Sequence, residues 1–364
     1  MSTVYLLALT RIPGVGAVLA RTLLSHFGAA EAIFNASFKQ LLHVEGIGPQ
    51  LARNIRQFDE FDSCSAELTF AHAHGIQMLV LGNENYPKRL SYCYDAPLVL
   101  FYKGKADLNA QKIVSVVGTR NATTHGKLLC DEFLKGLAEY GALVVSGLAY
   151  GIDAAVHKAC VKYELPTLGV LAHGLDRMYP YAHRKLAAEM LEKGGLLTEF
   201  PSKSNPDREN FPKRNRIIAG LADATIVVEA SSKGGALITA DLANSYDREV
   251  CAFPGRATDE YSLGCNELIK TNRAHLVTHA ADIASLLAWD ITSSTQKRVS
   301  RINWADRSVD EQRLLAILAE NLAIQVDELV LSTGFSQSKL SLVLLDLQMD
   351  GVVQILPGNR CMLV

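Results

Sequence analysis

The chain has 364 residues, of which 49% are hydrophobic and 20% are charged, and its formal net charge is −2. This composition predicts two or three folded domains and excludes a disordered polyelectrolyte and a globally basic nucleic-acid coat, but it is compatible with a local basic patch. Seven widely spaced cysteines form no C-x-x-C pair, which predicts reduced thiols in a cytoplasmic protein.

The sequence predicts neither a membrane span nor an export signal. The apolar stretch near the N-terminus, residues 4–9, is much shorter than the ~18–20 residues that span a bilayer. No basic segment precedes it and no small-residue cleavage site follows it. We therefore expect a soluble protein of the cytoplasm without a membrane partner.

Residues 1–65 are predicted to form a helical domain with an internal repeat. Residues 12–16 and 44–48 each place two glycines in a turn that opens an amphipathic helix. This is the helix-hairpin-helix (or SAM-like) pattern, in which the glycines let backbone N–H groups approach a phosphate. A plain helical packing module is the alternative interpretation, because the first 60 residues contain five basic and four acidic residues.

Residues 66–290 are predicted to form an extended Rossmann-like domain. Short apolar runs alternate with helical segments, which is typical of an α/β fold with a mostly parallel sheet. We expect the binding site at the carboxyl ends of the strands. The predicted strands are 76–81, 98–102, 113–117, 142–145, 166–172, 196–198, 224–228, 249–253 and 275–277.

A linker and a winged-helix domain are predicted to follow. The stretch 291–308 is charged and contains several Ser and Thr residues, as linkers do. Residues 309–364 show three helical patterns and then two short strands joined by Pro357-Gly358-Asn359. The last helix contains one Lys and one Asp, which favours protein contact or weak DNA binding over the reading of duplex sequence.

Glycine turns follow several predicted strands and precede helices, an arrangement that binds anions. The first two turns supply Gly118, Thr119, Arg120, Ser146 and Gly147 as predicted contacts. Neither turn has G-x-G-x-x-G spacing, and Ser146-Gly147 stands where a ribose-binding acid would be expected. A nicotinamide dinucleotide is therefore disfavoured, and we expect no cofactor.

The stretch 203–216 is strongly basic, with five basic and two acidic residues. Cations beside an aromatic are typical of single-stranded nucleic-acid binding, because the cations neutralise phosphates and the ring stacks on bases. A solvated loop is the alternative. The predicted contacts in this stretch and in the next glycine turn are Arg208, Phe211, Lys213, Arg214, Asn215, Arg216, Lys233, Gly234 and Gly235.

Other polar residues near the strand ends have structural as well as functional interpretations. Arg120 suits bidentate phosphate binding, and pairing with a carboxylate is the alternative. Asp153 and His157 lie one helical turn apart, which favours a structural hydrogen bond between them. No Ser or Cys nucleophile stands near His173, so catalysis there is disfavoured. Cysteine spacing also disfavours zinc.

In their order along the chain, these motifs resemble the DNA-processing protein A (DprA, also called Smf) family. Gly234-Gly235 stands where the family often has Ser-Gly, a departure that removes a hydroxyl and keeps the permissive backbone. The matching runs are GTR (118–120), SGLAYGIDAAVH (146–157), HGLDRMYP (173–180), TEFP (198–201), FPKRNRIIAGLA (211–222), VVEASSKGGALITA (227–240) and FPGRATDEYSLGCNELI (253–269).

The resemblance implies a homodimeric protein that binds single-stranded DNA and is not an enzyme. It also implies protection of incoming DNA and loading of the RecA recombinase during natural transformation. The implied contacts are Arg120 in the Gly-Thr-Arg motif and Phe211, Lys213, Arg214 and Arg216 in the FPxRNR motif. A phosphoribohydrolase-like nucleotide enzyme, whose glycine motif is incomplete here, and a nucleotide sensor remain as alternatives.

Overall fold

The computed structural model describes residues 3–289, 307–321, 323–356 and 358–363. Within them the chain forms a helical N-terminal region, an α/β sheet domain and a winged helix, as the sequence predicts. Of the predicted linker 291–308, only residues 307 and 308 lie inside the described residues.

The N-terminal region is built from short helices. They are α1 (Thr3–Arg11), α2 (Ala17–Phe27), α3 (Ala30–Asn35), α4 (Phe38–Leu42), α5 (Pro49–Arg56) and α6 (Phe61–Ala73). The predicted domain boundary at residue 65 falls inside α6, whose buried residues extend from Cys64 to Ala71. The helical region therefore continues into the residues that precede the sheet.

The two glycine turns of the predicted repeat pack against each other. Gly14 and Gly46 have φ values of 86° and 80°, a region that favours glycine. A Cβ at Gly14 would lie 2.6 Å from Leu51 Cδ2, and a Cβ at Gly46 would lie 2.8 Å from Leu19 Cδ2. Because Leu19 and Leu51 hold equivalent positions in the repeat, each turn is completed by a leucine from the other.

Among the described residues, nine strands form the central sheet. They are β1 (Gln77–Val80), β2 (Val99–Gly104), β3 (Ile113–Val117), β4 (Leu143–Ser146), β5 (Thr167–Val170), β6 (Gly195–Thr198), β7 (Ala224–Val227), β8 (Glu249–Ala252) and β9 (His275–Leu276). Their order is β1-β2-β6-β5-β4-β3-β7-β8-β9, and β2 is antiparallel to both its neighbours while the other pairs are parallel. The strands lie where the apolar runs predict them.

Helices cover both faces of this sheet, so its central strands are buried on both sides. The helices are α7 (Lys88–Ser91), α8 (Thr124–Leu137), α9 (Ile152–Lys162), α10 (Arg184–Met190), α11 (Asn210–Leu221), α12 (Gly235–Ser245), α13 (Leu263–Lys270) and α14 (Ala280–Leu286). Val114 and Val116 face a core shared with α8, whereas Ile113 and Val117 face a core shared with α11 and α12. Neighbouring strands β3 and β7 thus send their helices to opposite faces, which opens a crevice at their carboxyl ends.

Strand β2 joins the helical region to the sheet domain. Its Leu100 and Tyr102 belong to the core under α11 and α12, and its Val99 and Phe101 belong to the core of the helical region. Successive strand residues point to opposite faces, so this one strand serves both cores.

The winged helix agrees with the predicted pattern of helices and strands. Its elements are α15 (Val309–Glu320), β10 (Ile324–Gln325), α16 (Val326–Thr333), α17 (Gln337–Met349), β11 (Val353–Leu356) and β12 (Arg360–Leu363). The two-residue strand β10 is an addition to the prediction, because a segment this short has no detectable alternation. Pro357 lies outside the described residues.

The winged helix packs against the amino-terminal edge of the sheet. Gln325 Oε1 accepts a hydrogen bond from Arg248 Nη1 at 2.9 Å, and the backbone N–H of Gly358 donates to Glu249 Oε1 at 3.0 Å. Arg248 and Glu249 stand at the start of β8, so this contact lies at the edge opposite to the expected binding site.

Asp223 is the centre of a buried polar network at the same edge. It is 1% exposed and accepts from Arg89 Nε at 2.7 Å, from Arg89 Nη2 at 2.9 Å and from the backbone N–H of Ile113 at 3.1 Å. Gln325 Nε2 lies 3.5 Å from Asp223 Oδ1, the oxygen that also accepts from Arg89 Nε. These partners satisfy a carboxylate that would otherwise be costly to bury.

All seven cysteines are free and buried. Within the described residues, every helix is too short or too polar to cross a bilayer.

Candidate nucleic-acid interface

The segments that follow β3, β4, β5, β6 and β7 surround a groove of about 620 Å³ at the carboxyl edge of the sheet. The groove lies beside the crevice between β3 and β7, where a parallel sheet of this kind binds its ligands. The predicted contacts that line it are Gly118, Thr119, Arg120, Arg208, Phe211, Arg214, Asn215, Gly234 and Gly235.

The turn after β3 is fixed by its own backbone. Thr119 N donates to Glu229 O at 2.7 Å, and Thr119 O accepts from Ile152 N at 3.0 Å. A Cβ at Gly118 would lie 2.5 Å from Ile152 Cγ1, so this close approach requires glycine. Because the N–H of Thr119 is engaged, the turn acts mainly by positioning the Arg120 side chain.

The turn before α12 is open. Gly234 is the N-cap of this eleven-residue helix and supplies no side-chain cap, and a Cβ at Gly235 would meet no described atom within 4 Å. The first N–H groups of a helix lack intrahelical partners and carry partial positive charge. This turn therefore offers backbone donors to an anion in the groove. Lys233 is exposed beside it but lies outside the groove lining.

Arg120 and Phe211 form a stacked pair in the groove. The guanidinium carbon of Arg120 lies 4.7 Å from the centroid of the Phe211 ring. Arg120 is exposed, and within the described part of the chain no carboxylate pairs with it. The described residues therefore do not support the alternative interpretation, in which Arg120 forms a structural ion pair.

Arg214 lines the groove but is buried, with 4% of its surface exposed. A Cβ at Gly147 would collide with Arg214 Nη1 and would lie 2.6 Å from Asp153 Oδ2. The Asp153 carboxylate also accepts from Ala149 N at 3.3 Å. Arg214 therefore packs under the loop after β4, where it holds that loop in place.

Burial disfavours the charged forms of both Arg214 and Asp153. It lowers the pKa of Arg214 to about 10, against the raising effect of the Asp153 charge. Burial also raises the pKa of Asp153, against the lowering effect of the Arg214 charge. Arg214 remains protonated at neutral pH and keeps its positive charge beneath the groove.

Lys213 and Arg216 point away from the groove. Together with Lys203 they line a second cavity of about 980 Å³, between the helical region and the sheet domain. Arg216 forms an ion pair with Glu199 and donates to the backbone carbonyl of Asp95. Helix α11 is thus a wall with one basic face in the groove and another in this cavity.

Ser146 is buried at the end of β4. It is fully buried and its hydroxyl donates to Val116 O at 2.7 Å, which ties β4 to β3. Five of the predicted contacts are not part of the groove lining: Ser146, Gly147, Lys213, Arg216 and Lys233.

The expected hydrogen bond between His157 and Asp153 is wrong. His157 Nδ1 lies 2.8 Å from Thr167 Oγ1, and that hydroxyl donates to Val144 O, so the histidine donates to the threonine. Asp153 is turned instead towards Arg214 and the loop after β4. Complete burial lowers the pKa of His157 to about 3, which keeps its ring neutral.

Sequence reasoning missed two features of the groove. Tyr179 lies with its ring centroid 6.2 Å from that of Phe211, and Asp153 is the buried partner of Arg214. Both residues are part of the quoted motifs, but a motif does not show which of its polar residues is buried. Within the described residues, no cluster of three or more His, Cys, Asp or Glu side chains suits a metal ion.

Comparison with known families identifies three matching segments. The profile of the family described as DNA recombination-mediator protein A matches residues 77–288. A helix-hairpin-helix profile matches residues 5–65, and a DprA winged helix profile matches residues 304–359. Together these matches follow the order of the three structural regions.

Curated relatives align over much of the chain. Protein Smf of Synechocystis is 32% identical over 98% of this chain and 97% of its own length. DNA processing protein DprA of Bacillus subtilis is 38% identical over 64% of this chain and 78% of its own length.

Two solved structures are also similar. The X-ray structure of DprA from Streptococcus pneumoniae has 31% identity and a TM-score of 0.66, and it covers 78% of this chain and 96% of its own. A structure of DNA processing protein A from Helicobacter pylori, which concerns its single-stranded DNA binding mode, has 28% identity and a TM-score of 0.53. It covers 59% of this chain and 96% of its own.

Proposed function

Because the chain belongs to the DNA recombination-mediator protein A family, we propose that it binds single-stranded DNA in the groove at the carboxyl edge of its sheet. The observation that carries the proposal is the contact of the Arg120 guanidinium, which has no carboxylate partner among the described residues, with the face of Phe211. A cation beside an aromatic face suits a phosphate and its neighbouring base. The Helicobacter pylori protein, whose structure concerns single-stranded DNA binding, supports the substrate class.

The groove supplies separate contacts for phosphates and for bases. Arg120, Arg208 and the open N-terminus of α12 bind phosphates, and Phe211 stacks on a base. Phosphate contacts carry no sequence information, and every base has a face on which a ring can stack. Binding is therefore tolerant of sequence, while Arg214 keeps the loop after β4 in position.

The cellular role in this proposal is that of a recombination mediator. The protein binds incoming single strands in the cytoplasm during natural transformation, protects them and helps to load RecA, and it acts as a homodimer. The family description, which names a DNA recombination mediator, supports the recombination part of this role. In this proposal the protein is not an enzyme. Two acidic residues are already engaged in structural contacts: Glu229 accepts hydrogen bonds from Thr123, and Asp153 is buried against Arg214.

Fluorescence anisotropy of a labelled ~30-nucleotide single strand tests the proposal at several salt concentrations. The double variant Arg120→Ala/Phe211→Leu removes the cation and the ring that carry the argument. The matched control is Lys162→Ala/Tyr163→Leu, because Lys162 Nζ also lies 4.7 Å from the centroid of an aromatic ring, at the distant end of α9.

We expect salt-sensitive binding that unlabelled single strand displaces far better than duplex does. The groove variant loses at least tenfold in affinity, because it lacks one phosphate contact and one stacked base, whereas the control binds like the wild type. Full displacement by a mononucleotide, or release of free base from it, would instead favour the nucleotide-sensor or nucleotide-enzyme interpretation.

A further inference from the structure

Three exposed tyrosines lie at the carboxyl edge of the sheet, one in the groove lining and two outside it. Tyr150 is 51% exposed, Tyr179 is 45% exposed and Tyr181 is 72% exposed, and we call them the tyrosine surface. They follow β4 and β5, whereas Arg120 and the α12 turn follow β3 and β7. The strand order β5-β4-β3-β7 therefore places the tyrosine surface on one side of Arg120 and the open helix N-terminus on the other.

The tyrosine surface is continuous with the groove. Tyr179 and Phe211 are neighbours at 6.2 Å between ring centroids, with their planes inclined at 63°. Tyr150 and Tyr179 also line a narrow slot together with Arg120, Phe211 and Arg214, the residues at the centre of the groove. A strand that stacks a base on Phe211 meets these tyrosines next.

Buried histidines contact the backbone of Tyr179 and the ring of Tyr150. His173 is 1% exposed, and its Nε2 accepts from the backbone N–H of Tyr179 at 3.2 Å. His183 donates from Nδ1 to Leu148 O at 2.9 Å, and its ring lies 5.3 Å from the Tyr150 ring. A segment whose backbone is already restrained loses less conformational entropy when a ligand binds to it.

The outer faces of these rings are free for a ligand. In the described part of the chain, the hydroxyls of Tyr150 and Tyr179 make no hydrogen bond, and that of Tyr181 accepts from Arg184 Nη1 at 3.4 Å. The nearby carboxylate of Asp176 is already paired with Arg177 at 3.0 Å. The exposed Arg184 adds a positive charge beside the outermost ring, which suits a polyanion.

We propose that the tyrosine surface stacks on the bases of the DNA strand beyond Phe211, so that the strand crosses the sheet edge from the β7 turn to the β5 loop. The inference rests on the proposed function and adds a direction and a division of labour to it. Phosphates are held mainly at the β7 and β3 turns, and bases mainly at the β4 and β5 loops.

The test compares two strands of equal length and charge, one of thymidine and one abasic. The variant Tyr150→Leu/Tyr181→Leu removes two rings, and Tyr150→Phe/Tyr181→Phe keeps them without their hydroxyls. Tyr94→Leu is the matched control, because Tyr94 is 62% exposed and lies outside the groove lining. Anisotropy titrations at several salt concentrations give the affinity and its salt dependence.

We expect the leucine variant to bind the thymidine strand about tenfold more weakly for each lost stack, with an unchanged salt dependence. On the abasic strand it binds like the wild type, and the phenylalanine variant and Tyr94→Leu match the wild type on both strands. Unchanged binding of thymidine by the leucine variant overturns the inference, and so does an equal loss on both strands or a change of oligomeric state. If the wild type binds neither strand, the proposed function itself fails.

Discussion

The two edges of the central sheet use arginine in opposite ways. At the amino-terminal edge, Arg89 is paired with Asp223 and Arg248 donates to Gln325 of the winged helix. At the carboxyl edge, Arg120 and Arg208 have no acidic partner in the described residues and line the groove. Arginine therefore joins domains at one edge, whereas at the other edge Arg120 and Arg208 remain available to a ligand and Arg214 is buried beside Asp153.

Burial explains why a single arginine does not serve both roles. A buried arginine repays its desolvation only through nearby partners, so a phosphate cannot recruit it without breaking those contacts. An exposed arginine pays little desolvation and gains a strong contact when a phosphate arrives. Counting basic residues along the sequence misses this distinction, because it depends on partners that are distant in the chain.

The largest expected effect is at the amino-terminal edge. Asp223→Ala leaves Arg89 partly buried without its carboxylate, so we expect the free energy of unfolding to fall by about 3–5 kcal/mol. Urea unfolding measures this loss. The single-stranded DNA affinity of the folded variant stays at the wild-type value, and a loss of affinity would contradict the separation of the two edges.

The next effect is at the carboxyl edge. Gly147→Ala forces a methyl group against Arg214 Nη1, and we expect a loss of about 3 kcal/mol, the upper end of typical overpacking costs. Gly235→Ala is the control, because its Cβ would meet no described atom within 4 Å. Urea unfolding gives both values, and DNA titration shows whether Gly147→Ala also weakens binding, as expected if Arg214 holds the loop. Equal stabilities of the two variants would count against this packing.

Lowering the pH is expected to decrease the stability of the fold through His157, which is fully buried. The pKa of His157 is about 3 in the folded protein and near its ordinary value of 6.5 when unfolded, so the unfolded state binds the proton first as pH falls. Stability therefore decreases between pH 6.5 and 3, by about 2 kcal/mol from pH 7 to pH 5. His157→Asn removes this part of the decrease, whereas the exposed His26→Asn does not. If the stability of the wild type and of His157→Asn depends on pH in the same way, this contribution of His157 is ruled out.

The smallest expected effects come from removing one positive charge at each edge of the sheet. Arg120→Ala lowers single-stranded DNA affinity about tenfold and reduces the slope of log affinity against log salt by about 0.7. Lys88→Ala removes a 62% exposed ammonium that lies 3.5 Å from Glu328 of the winged helix. It changes stability by less than about 1 kcal/mol and leaves the salt slope unaltered. Equal slopes for both variants would show that only net charge matters.

The sequence predicts the fold well because its signals are local. Each buried strand of the sheet is a short apolar run, and each glycine turn precedes a helix, so strands, turns and the edge of the site can be read from the chain. Strand β10 escapes prediction because two residues show no periodicity.

The site is predicted only in part, because burial and pairing depend on residues that are distant in the sequence. Arg214 and Arg216 are two positions apart, yet one is buried beside Asp153 and the other pairs with Glu199 in the lining of the second cavity. The partner of His157 is Thr167 on β5, which only the packing of α9 on the sheet determines. Spacing alone favours the nearer Asp153.

Strand β2 makes the helical region and the sheet domain one cooperative unit. Its alternate residues fill both cores, so neither core can open without exposing Val99 and Phe101 or Leu100 and Tyr102. Hydrogen exchange of the β2 amides should therefore report a single opening event shared by α6 and the central strands. The repeat-bearing N-terminal segment is separate in its sequence pattern, but we expect it to unfold together with the sheet that carries the groove.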